Sequence, residues 1–440
     1  MKKIKQAGVL GIGKSGVAAA NLAVKLGYKV FASDSGKERE IKNLDKKVMK
    51  EFGGHTDKIL TSDFVIKSPG IYPDIEIIKK IKRNKIPIIS ELEFSLKNSK
   101  YKKLIAVTGT NGKTTTTDLL SKIIKAAYKD SIVTGNIGFP LSDKALHTAK
   151  NTFITMELSS YQLEDSPSFC PNISILLNIT PDHLEHHKTM HKYIAAKKNI
   201  FKNQRAGDFS VINFDDKICR KISSEINAKK VFFAKRPLRN GVYFDKGSIV
   251  INIGKKKSVI KPKIQIPGTH NVENILAAVA ASYCVGMKSS IIEKVISSYK
   301  GVKHRIEFVR RINGVDYYND SKSTNVDSTR VALEAFEGNI FLILGGIDKG
   351  APYIPLKNLI KKRVKKIYLI GEAAEKIKKE LAGASFLDCG NIENAVKEIF
   401  KTAESGDTVL LSPACASFDQ FKNFEERGKF FKKMVKSISE

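Results

Sequence analysis

Residues 107–117, VTGTNGKTTTT, constrain the fold more than any other stretch of the chain. They follow an apolar run at 104–107 that suits a strand and precede a stretch at 118–127 that suits a helix. A glycine-rich turn at such a junction aims backbone N–H groups and the positive end of the helix dipole at an anion. Gly109, Thr110, Asn111 and Gly112 make the turn, and Lys113 is placed to reach the β/γ-phosphates of a nucleoside triphosphate. The Thr114 hydroxyl, with Thr115 beside it, is placed to sit on Mg²⁺. The spacing is Gly-x-x-Gly-Lys-Thr, with Val107 where the longer form of the loop has its first glycine. The plain alternative is a tight strand-to-helix turn that happens to hold a lysine.

A chain of 440 residues exceeds one core, and usual domain sizes suggest about three. Residues 1–93 alternate short apolar runs (8–12, 29–32, 64–66) with helical stretches, a βαβ pattern that implies a parallel sheet. Gly11-Ile-Gly-Lys-Ser-Gly16 within it matches a dinucleotide fingerprint, and Asp34 ends the next strand. Taken alone, this suggests an NAD-dependent oxidoreductase, although any diphosphate can use the same helix N-terminus. Residues 94–302 carry the phosphate loop, further apolar runs at 153–157 and 173–179, and a strand-rich stretch at 231–260. Residues 303–440 return to βα alternation, with strands expected at 315–318, 340–344, 366–370 and 408–411. The expected fold is therefore α/β in three domains: a Rossmann-like sheet, a central phosphate-loop domain and a second Rossmann-like domain.

The net charge of +31 arises from 76 Lys+Arg against 45 Asp+Glu. The lysines are scattered, and the densest cluster, 361–366, reads as a solvated helix face. Without a recognition motif or an aromatic stacking platform, no specific nucleic-acid partner is expected, whereas a positive field draws in anionic small substrates. Five cysteines (Cys170, Cys219, Cys284, Cys389, Cys415) contain no Cys-x-x-Cys pair, which argues against a disulfide framework or a zinc site and for a reducing cytoplasm. Lys14 breaks the apolar run near the start, so no signal peptide is expected. No apolar run reaches ~18 residues, so no membrane span is expected either.

Glu157 ends an apolar strand after the phosphate loop, where a carboxylate can hold Mg²⁺; a helix cap or surface acid is the alternative. Asp182 and His183 follow another such strand on the same edge. His186, His187 and His191 read as a polar surface loop rather than a metal site, because no acid accompanies them in metalloprotease spacing. On its own, Lys197 reads as one more surface lysine.

These segments occur in a telling order. The phosphate loop is followed by Met-Glu-Leu-Ser-Ser-Tyr-Gln at 156–162, Thr-Pro-Asp-His-Leu at 180–184 and Tyr-Ile-Ala-Ala-Lys-Lys at 193–198. Gly-Val-Lys-His-Arg-Ile-Glu at 301–307, Asn-Asp-Ser-Lys-Ser-Thr-Asn at 319–325 and Leu-Gly-Gly-Ile-Asp-Lys-Gly at 344–350 complete the series. Over essentially its whole length the chain resembles the Mur ligases of peptidoglycan synthesis. Its ending, with Ser-Pro-Ala-Cys-Ala-Ser at 412–417, is similar to that of the D-glutamate-adding members.

The resemblance implies ATP-dependent joining of D-glutamate to UDP-N-acetylmuramoyl-L-alanine through an acyl phosphate, by a cytoplasmic, monomeric enzyme. It implies Lys113, His183 and Lys197 as catalytic residues, and ATP contacts from Asn271, Arg305 and Asp320 in addition to the phosphate loop. It implies two Mg²⁺ sites, also open to Mn²⁺, held by Thr114, Glu157, His183 and a Lys197 carbamylated by CO₂. Lys14, Ser15, Asp34, Ser35, Gly70 and Asn136 would meet the UDP-sugar, which replaces the dinucleotide reading. The basic residue that usually follows the Asp-Ser/Thr pair is absent, Gly36 standing in its place. Lys322, Thr324, Lys349, Ser417 and the backbone at Phe424 would bind D-glutamate. Taken singly, Lys322 also reads as a surface lysine and Phe424 as a core aromatic.

Overall fold

The computed structural model describes residues 5–38, 40–254 and 256–438. Three sheets organise the described residues. Two of them lie in one compact unit, which runs to Pro262 and includes Glu273–Ile296; the third lies in a unit made of Lys263–Val272 and the chain from Ser297 onward.

The first sheet is parallel, in the spatial order Met49–Glu51, Lys29–Ser33, Gln6–Leu10, Phe64–Lys67, Ile88–Ser90. Gln6–Leu10 is flanked by the strands on either side of it in the winding, so the crevice at its C-terminal end is the place where such sheets take ligands. The fingerprint loop fills that end. A side chain at position 16 would put its Cβ 1.8 Å from the Gly11 carbonyl oxygen, which is why glycine is needed there.

Nine strands form the second sheet, in the order Lys256–Ile260, Ser248–Ile253, Gly241–Asp245, Lys229–Ala234, Phe209–Asn213, Ile173–Leu176, Lys103–Thr108, Phe153–Glu157, Ser131–Gly135. The seven strands from Gly241–Asp245 to Ser131–Gly135 are mutually parallel, and two antiparallel pairings, through Ser248–Ile253 to Lys256–Ile260, extend the opposite edge. Their alternate faces are near-continuous Val, Ile, Leu and Phe, as strands covered on both sides require. The strand expected at 173–179 stops at Leu176. Beyond it the chain leaves the ladder to support the phosphate loop, with Asn178 O accepting from Thr110 N (2.9 Å) and Asn178 Oδ1 from Asn111 N (2.8 Å).

The third sheet runs Glu307–Ile312, Val315–Asn319, Thr408–Leu411, Ile340–Gly345, Val364–Ile370, Phe386–Gly390, parallel except for its first strand. The lysine cluster at 361–366 is not a single helix face. It straddles the end of the helix Lys357–Arg363 and the start of the strand Val364–Ile370, where Arg363 donates to the Leu333 and Phe336 carbonyls at 2.8 and 2.6 Å.

Candidate active site

The helix after the phosphate loop begins at Lys113, earlier than the apolar pattern at 118–127 indicates. Gly112 makes this possible: it is left-handed (φ 84°), and a Cβ there would lie 2.0 Å from Asn274 Oδ1. The turn thus presents its amides at a helix N-terminus while the polar Thr114 and Thr115 occupy the first turn. Lys113 Nζ lies 2.9 Å from the Gly109 carbonyl and 2.7 Å from that of Thr110, within the loop it serves.

Glu157 ends the neighbouring strand, with Val107 as its cross-strand partner. Its carboxylate is buried; Oε1 accepts from Asn136 Nδ2 at 2.8 Å, and Oε2 has no hydrogen-bond partner among the described residues. A buried carboxylate oxygen left in this way costs free energy unless a cation faces it. The donor set of Glu157 Oε2 and the Thr114 hydroxyl, both oxygen, fits Mg²⁺.

Lys197 overturns its sequence reading as a surface side chain, being only 2% exposed. It lies on the helix Met190–Lys198, and its Nζ donates to the Gly109 carbonyl at 2.8 Å, the same oxygen that Lys113 approaches. Burial, followed by the nearby Lys113 charge, holds its amine well below the usual lysine range. Tyr193, one turn earlier, lies beneath that amine (4.6 Å from ring centroid to Nζ) and forms a 3.0 Å hydrogen bond with Thr110 Oγ1. Burial pushes the Tyr193 phenol up to about 12. His183 is a non-glycine residue in the left-handed region (φ 54°), with its Nε2 3.3 Å from Asp182 Oδ2 and its ring 4.9 Å from that of Tyr161. Strain of this kind concentrates at functional sites.

Lys113, His183, Tyr193 and Lys197 share a cavity of about 460 Å³ with residues that follow strands of the first sheet; Glu157 is not among the residues that line it. Lys14, Ser15, Asn136, Lys113, His183 and Lys197 all line it, and Lys14 Nζ donates across it to the Gly138 carbonyl at 2.8 Å. Asp34 instead secures the fingerprint loop, its carboxylate accepting from Ile12 N (2.7 Å) and Gly36 N (2.8 Å). Ser35 and Gly70 are exposed nearby on the same sheet.

In the second unit, Lys322, Thr324, Lys349, Ser417 and Phe424 sit on loops and a helix start beyond the C-terminal ends of Val315–Asn319, Ile340–Gly345 and Thr408–Leu411. Phe424 is only partly buried and Lys322 partly exposed, so neither is a pure core or surface residue. One buried cation ties these loops together. Arg427 donates to Ser321 Oγ (3.0 Å) and to the carbonyls of Ser321 (2.9 Å), Cys415 (3.1 Å) and Ala416 (3.2 Å). Asp320 is wholly buried: Oδ1 accepts from Ile306 N, and Oδ2 from the Ser323 and Ser412 hydroxyls, so its carboxylate braces these loops from within. Burial pushes its carboxyl up, against the Arg305 charge. Asn271 is buried and donates to the Pro267 carbonyl at 2.6 Å.

Comparison with known proteins gives the same answer along the whole length. Residues 5–90 match the Mur ligase MurD-like N-terminal domain, 107–282 the Mur ligase middle domain, and 304–415 the Mur ligase glutamate ligase domain. The UDP-N-acetylmuramoylalanine–D-glutamate ligase of Elusimicrobium minutum is 47% identical over 99% of this chain and 98% of that protein. The enzyme of the same name from Koribacter versatilis is 41% identical over 98% and 97%. The chain belongs to the Mur ligase family. Its fold is shared by the MurF ligase of Thermotoga maritima in complex with ADP (TM-score 0.61, 18% identity, 99% of this chain and 96% of that one). The UDP-N-acetylmuramate–alanine ligase of Thermotoga maritima is similar to the same degree (TM-score 0.60, 20% identity, 98% and 99%).

Within this Mur ligase, sequence reasoning missed the histidine pair. His186 and His187 form part of the short helix Leu184–His187 and are 6% and 2% exposed, not a polar surface loop, whereas His191 is exposed as expected. Their partner is Glu164, more than 20 positions earlier, which metalloprotease spacing could not reveal: His186 Nε2 lies 3.0 Å from its Oε2 and His187 Nδ1 3.2 Å from its Oε1. Tyr193 was missed too, its only sequence signal being its place one turn before Lys197.

Proposed function

We propose that this Mur ligase joins D-glutamate to UDP-N-acetylmuramoyl-L-alanine in the cytoplasm, consuming ATP. The observation that carries the reading is the buried Lys197 and Glu157 with the half-buried Lys113 around one phosphate loop, in a chain 47% identical over nearly its full length to an enzyme of that name. We assign residues 1–93 to the UDP-sugar, 94–302 to ATP and 303–440 to the amino acid.

A carboxylate is a poor electrophile, so the terminal L-alanine carboxylate first takes the γ-phosphoryl group as an acyl phosphate. The D-glutamate amine then forms the C–N bond, the C–O bond to phosphate breaks with the electron pair going to the leaving oxygen, and the proton shed by the amine departs with the released phosphate. Little covalent chemistry falls to the protein, whose work is alignment and charge neutralisation. The loop amides from Gly109 to Thr115 hold the phosphates, and Lys113 turns from the Gly109 and Thr110 carbonyls to the transferring group. Thr114 and Glu157 would hold one Mg²⁺, or Mn²⁺ in its place, and His183 with a modified Lys197 a second, and the bound ions would supply neutralisation of phosphate charge. Lys14, Ser15 and Asn136 line the cavity for the diphosphate and sugar, with Asp34, Ser35 and Gly70 toward the uridine. Lys322, Lys349, Thr324, Ser417 and the Phe424 backbone supply the cations and donors that two carboxylates require. Asn271 and Arg305 complete the ATP contacts, while Asp320, wholly buried with both oxygens engaged, acts by fixing the loop that carries Lys322 and not by touching the nucleotide.

The state of Lys197 supports carbamylation. Burial disfavours the ammonium form, and the neutral amine that it favours is a nucleophile: it adds to the carbon of CO₂, releases a proton and becomes an anionic oxygen donor. Its present partner, the Gly109 carbonyl, is an acceptor that an ammonium or amine suits and a carbamate does not, so modification must also turn the side chain. The deciding experiment is an amino-acid panel with UDP-N-acetylmuramoyl-L-alanine, ATP and Mg²⁺, scored for phosphate release and coupled product. D-Glutamate should support turnover far better than L-glutamate, L-lysine or diaminopimelate; equal rates would remove the substrate assignment.

A further inference from the structure

We propose that Glu164, His186 and His187 form a binding site for a zinc-like divalent cation, separate from the magnesium sites of the ligase reaction. Donor atoms of the three residues all lie within 4.8 Å of one another, with the carboxylate 3.0 Å from one imidazole nitrogen and 3.2 Å from the other. The His187 side chain is completely buried, and its Nδ1 has no hydrogen-bond partner despite facing Glu164 Oε1. Its other nitrogen, Nε2, lies 2.8 Å from Ser160 Oγ. With Nε2 carrying the proton toward Ser160, the Nδ1 lone pair is left beside a carboxylate oxygen without a hydrogen bond between them, an arrangement that a cation relieves. Ser160 Oγ behind the ring can accept that proton and fix the tautomer, the role that an outer acceptor plays for metal-ligating histidines.

Two imidazoles and one carboxylate are the protein ligands of a three-coordinate zinc centre that leaves a position for water. Mg²⁺ prefers a near-octahedral set of oxygens, so the chemistry of this site differs from that around Glu157. Bound here, the ion would pin the helix Leu184–His187 to the helix Ser160–Glu164. The ring of Tyr161, which lines the substrate cavity, stacks on His187 (5.5 Å, 8° between planes) and meets His186 edge-on (4.4 Å), so its position would be fixed as well.

Co²⁺ is a suitable probe, because a tetrahedral site gives it a visible absorption band that needs no turnover. Titrated into the metal-free full chain without nucleotide, it should give one equivalent of tetrahedral absorption, displaced by Zn²⁺ but not by excess Mg²⁺. His186→Gln and Glu164→Gln should each weaken binding at least about tenfold, while His183→Ala keeps the band. Glu164 is a quarter exposed and tolerates an amide, so Glu164→Gln decides the matter if His186→Gln fails to fold. Absence of a tetrahedral band, or a band undiminished in Glu164→Gln, would overturn the proposal. So would a band lost in His183→Ala, which would place the ion at the ligase site. Because no step is read through catalysis, failure here is distinguishable from failure of the ligase assignment.

Discussion

Arg427→Met should loosen the proposed amino-acid side of the enzyme by a measurable amount. The guanidinium is 1% exposed and, although burial pushes its pKa down to about 10, remains charged at neutral pH. Of its acceptors, Ala416 O keeps the Ile347 amide at 3.0 Å and Ser321 Oγ keeps its bond to the Phe424 carbonyl at 2.8 Å. The Ser321 and Cys415 carbonyls have no second donor among the described residues. At roughly 1–3 kcal/mol for each orphaned buried acceptor, the loss is about 4 kcal/mol. Relief from burying a cation lowers that figure somewhat. Amide hydrogen exchange of the full chain reads this locally, since a difference of about 4 kcal/mol corresponds to roughly a thousandfold faster exchange through opening of the segment. Peptides spanning 408–420 should show it, and the KM for D-glutamate should rise more than that for ATP. Arg427→Lys, which keeps the charge and up to three donors, should recover part of the loss. Exchange within about 1 kcal/mol of the parent for Arg427→Met would refute the view that these loops hang on one cation.

Three further outcomes are expected. Lys113→Ala should abolish phosphate release while leaving the circular dichroism spectrum unchanged; retained turnover would contradict the assignment of the loop. Lys197→Ala should lose most activity and regain part of it with added formate, acetate or chloride, and full activity without rescue would remove the carbamate. Gly112→Ala places a Cβ 2.0 Å from Asn274 Oδ1 at a left-handed residue, so nucleotide affinity should fall together with a stability loss of about 1–3 kcal/mol, read by ligand titration and thermal melting.

The parts of the fold that were legible in the sequence are those where pattern and period coincide. The strand Phe153–Glu157 falls where its apolar run does, and the phosphate loop is where strand and helix meet. Lys197 was illegible because the helix Met190–Lys198 mixes polar and apolar positions without a clean polar face, and its buried side, with Tyr193, Ala196 and Lys197, is revealed only by what packs on it. His186 and His187 failed for a related reason: their surroundings come from Ser160, Tyr161 and Glu164, a separate turn of the chain. Asp320 and Arg427 likewise reveal themselves only when the loops they hold are seen together. Family resemblance supplied roles for several such residues without supplying the physics of their burial.

The outer strands of the three sheets give part of the unusual basicity a purpose. Lys50 sits on the strand Met49–Glu51, Lys256 and Lys257 on Lys256–Ile260, and Arg310 and Arg311 on Glu307–Ile312, each the last strand on one side. Unpaired backbone along such borders invites other chains to add on, and a row of like charges repels them. A crowded population of these molecules would therefore resist edge-to-edge stacking, and neutralising Lys50, Lys256 and Lys257 should lower solubility before it alters folding, whereas Arg311 is held in an ion pair by Asp316 and Arg310 donates to the Lys436 and Ile438 carbonyls.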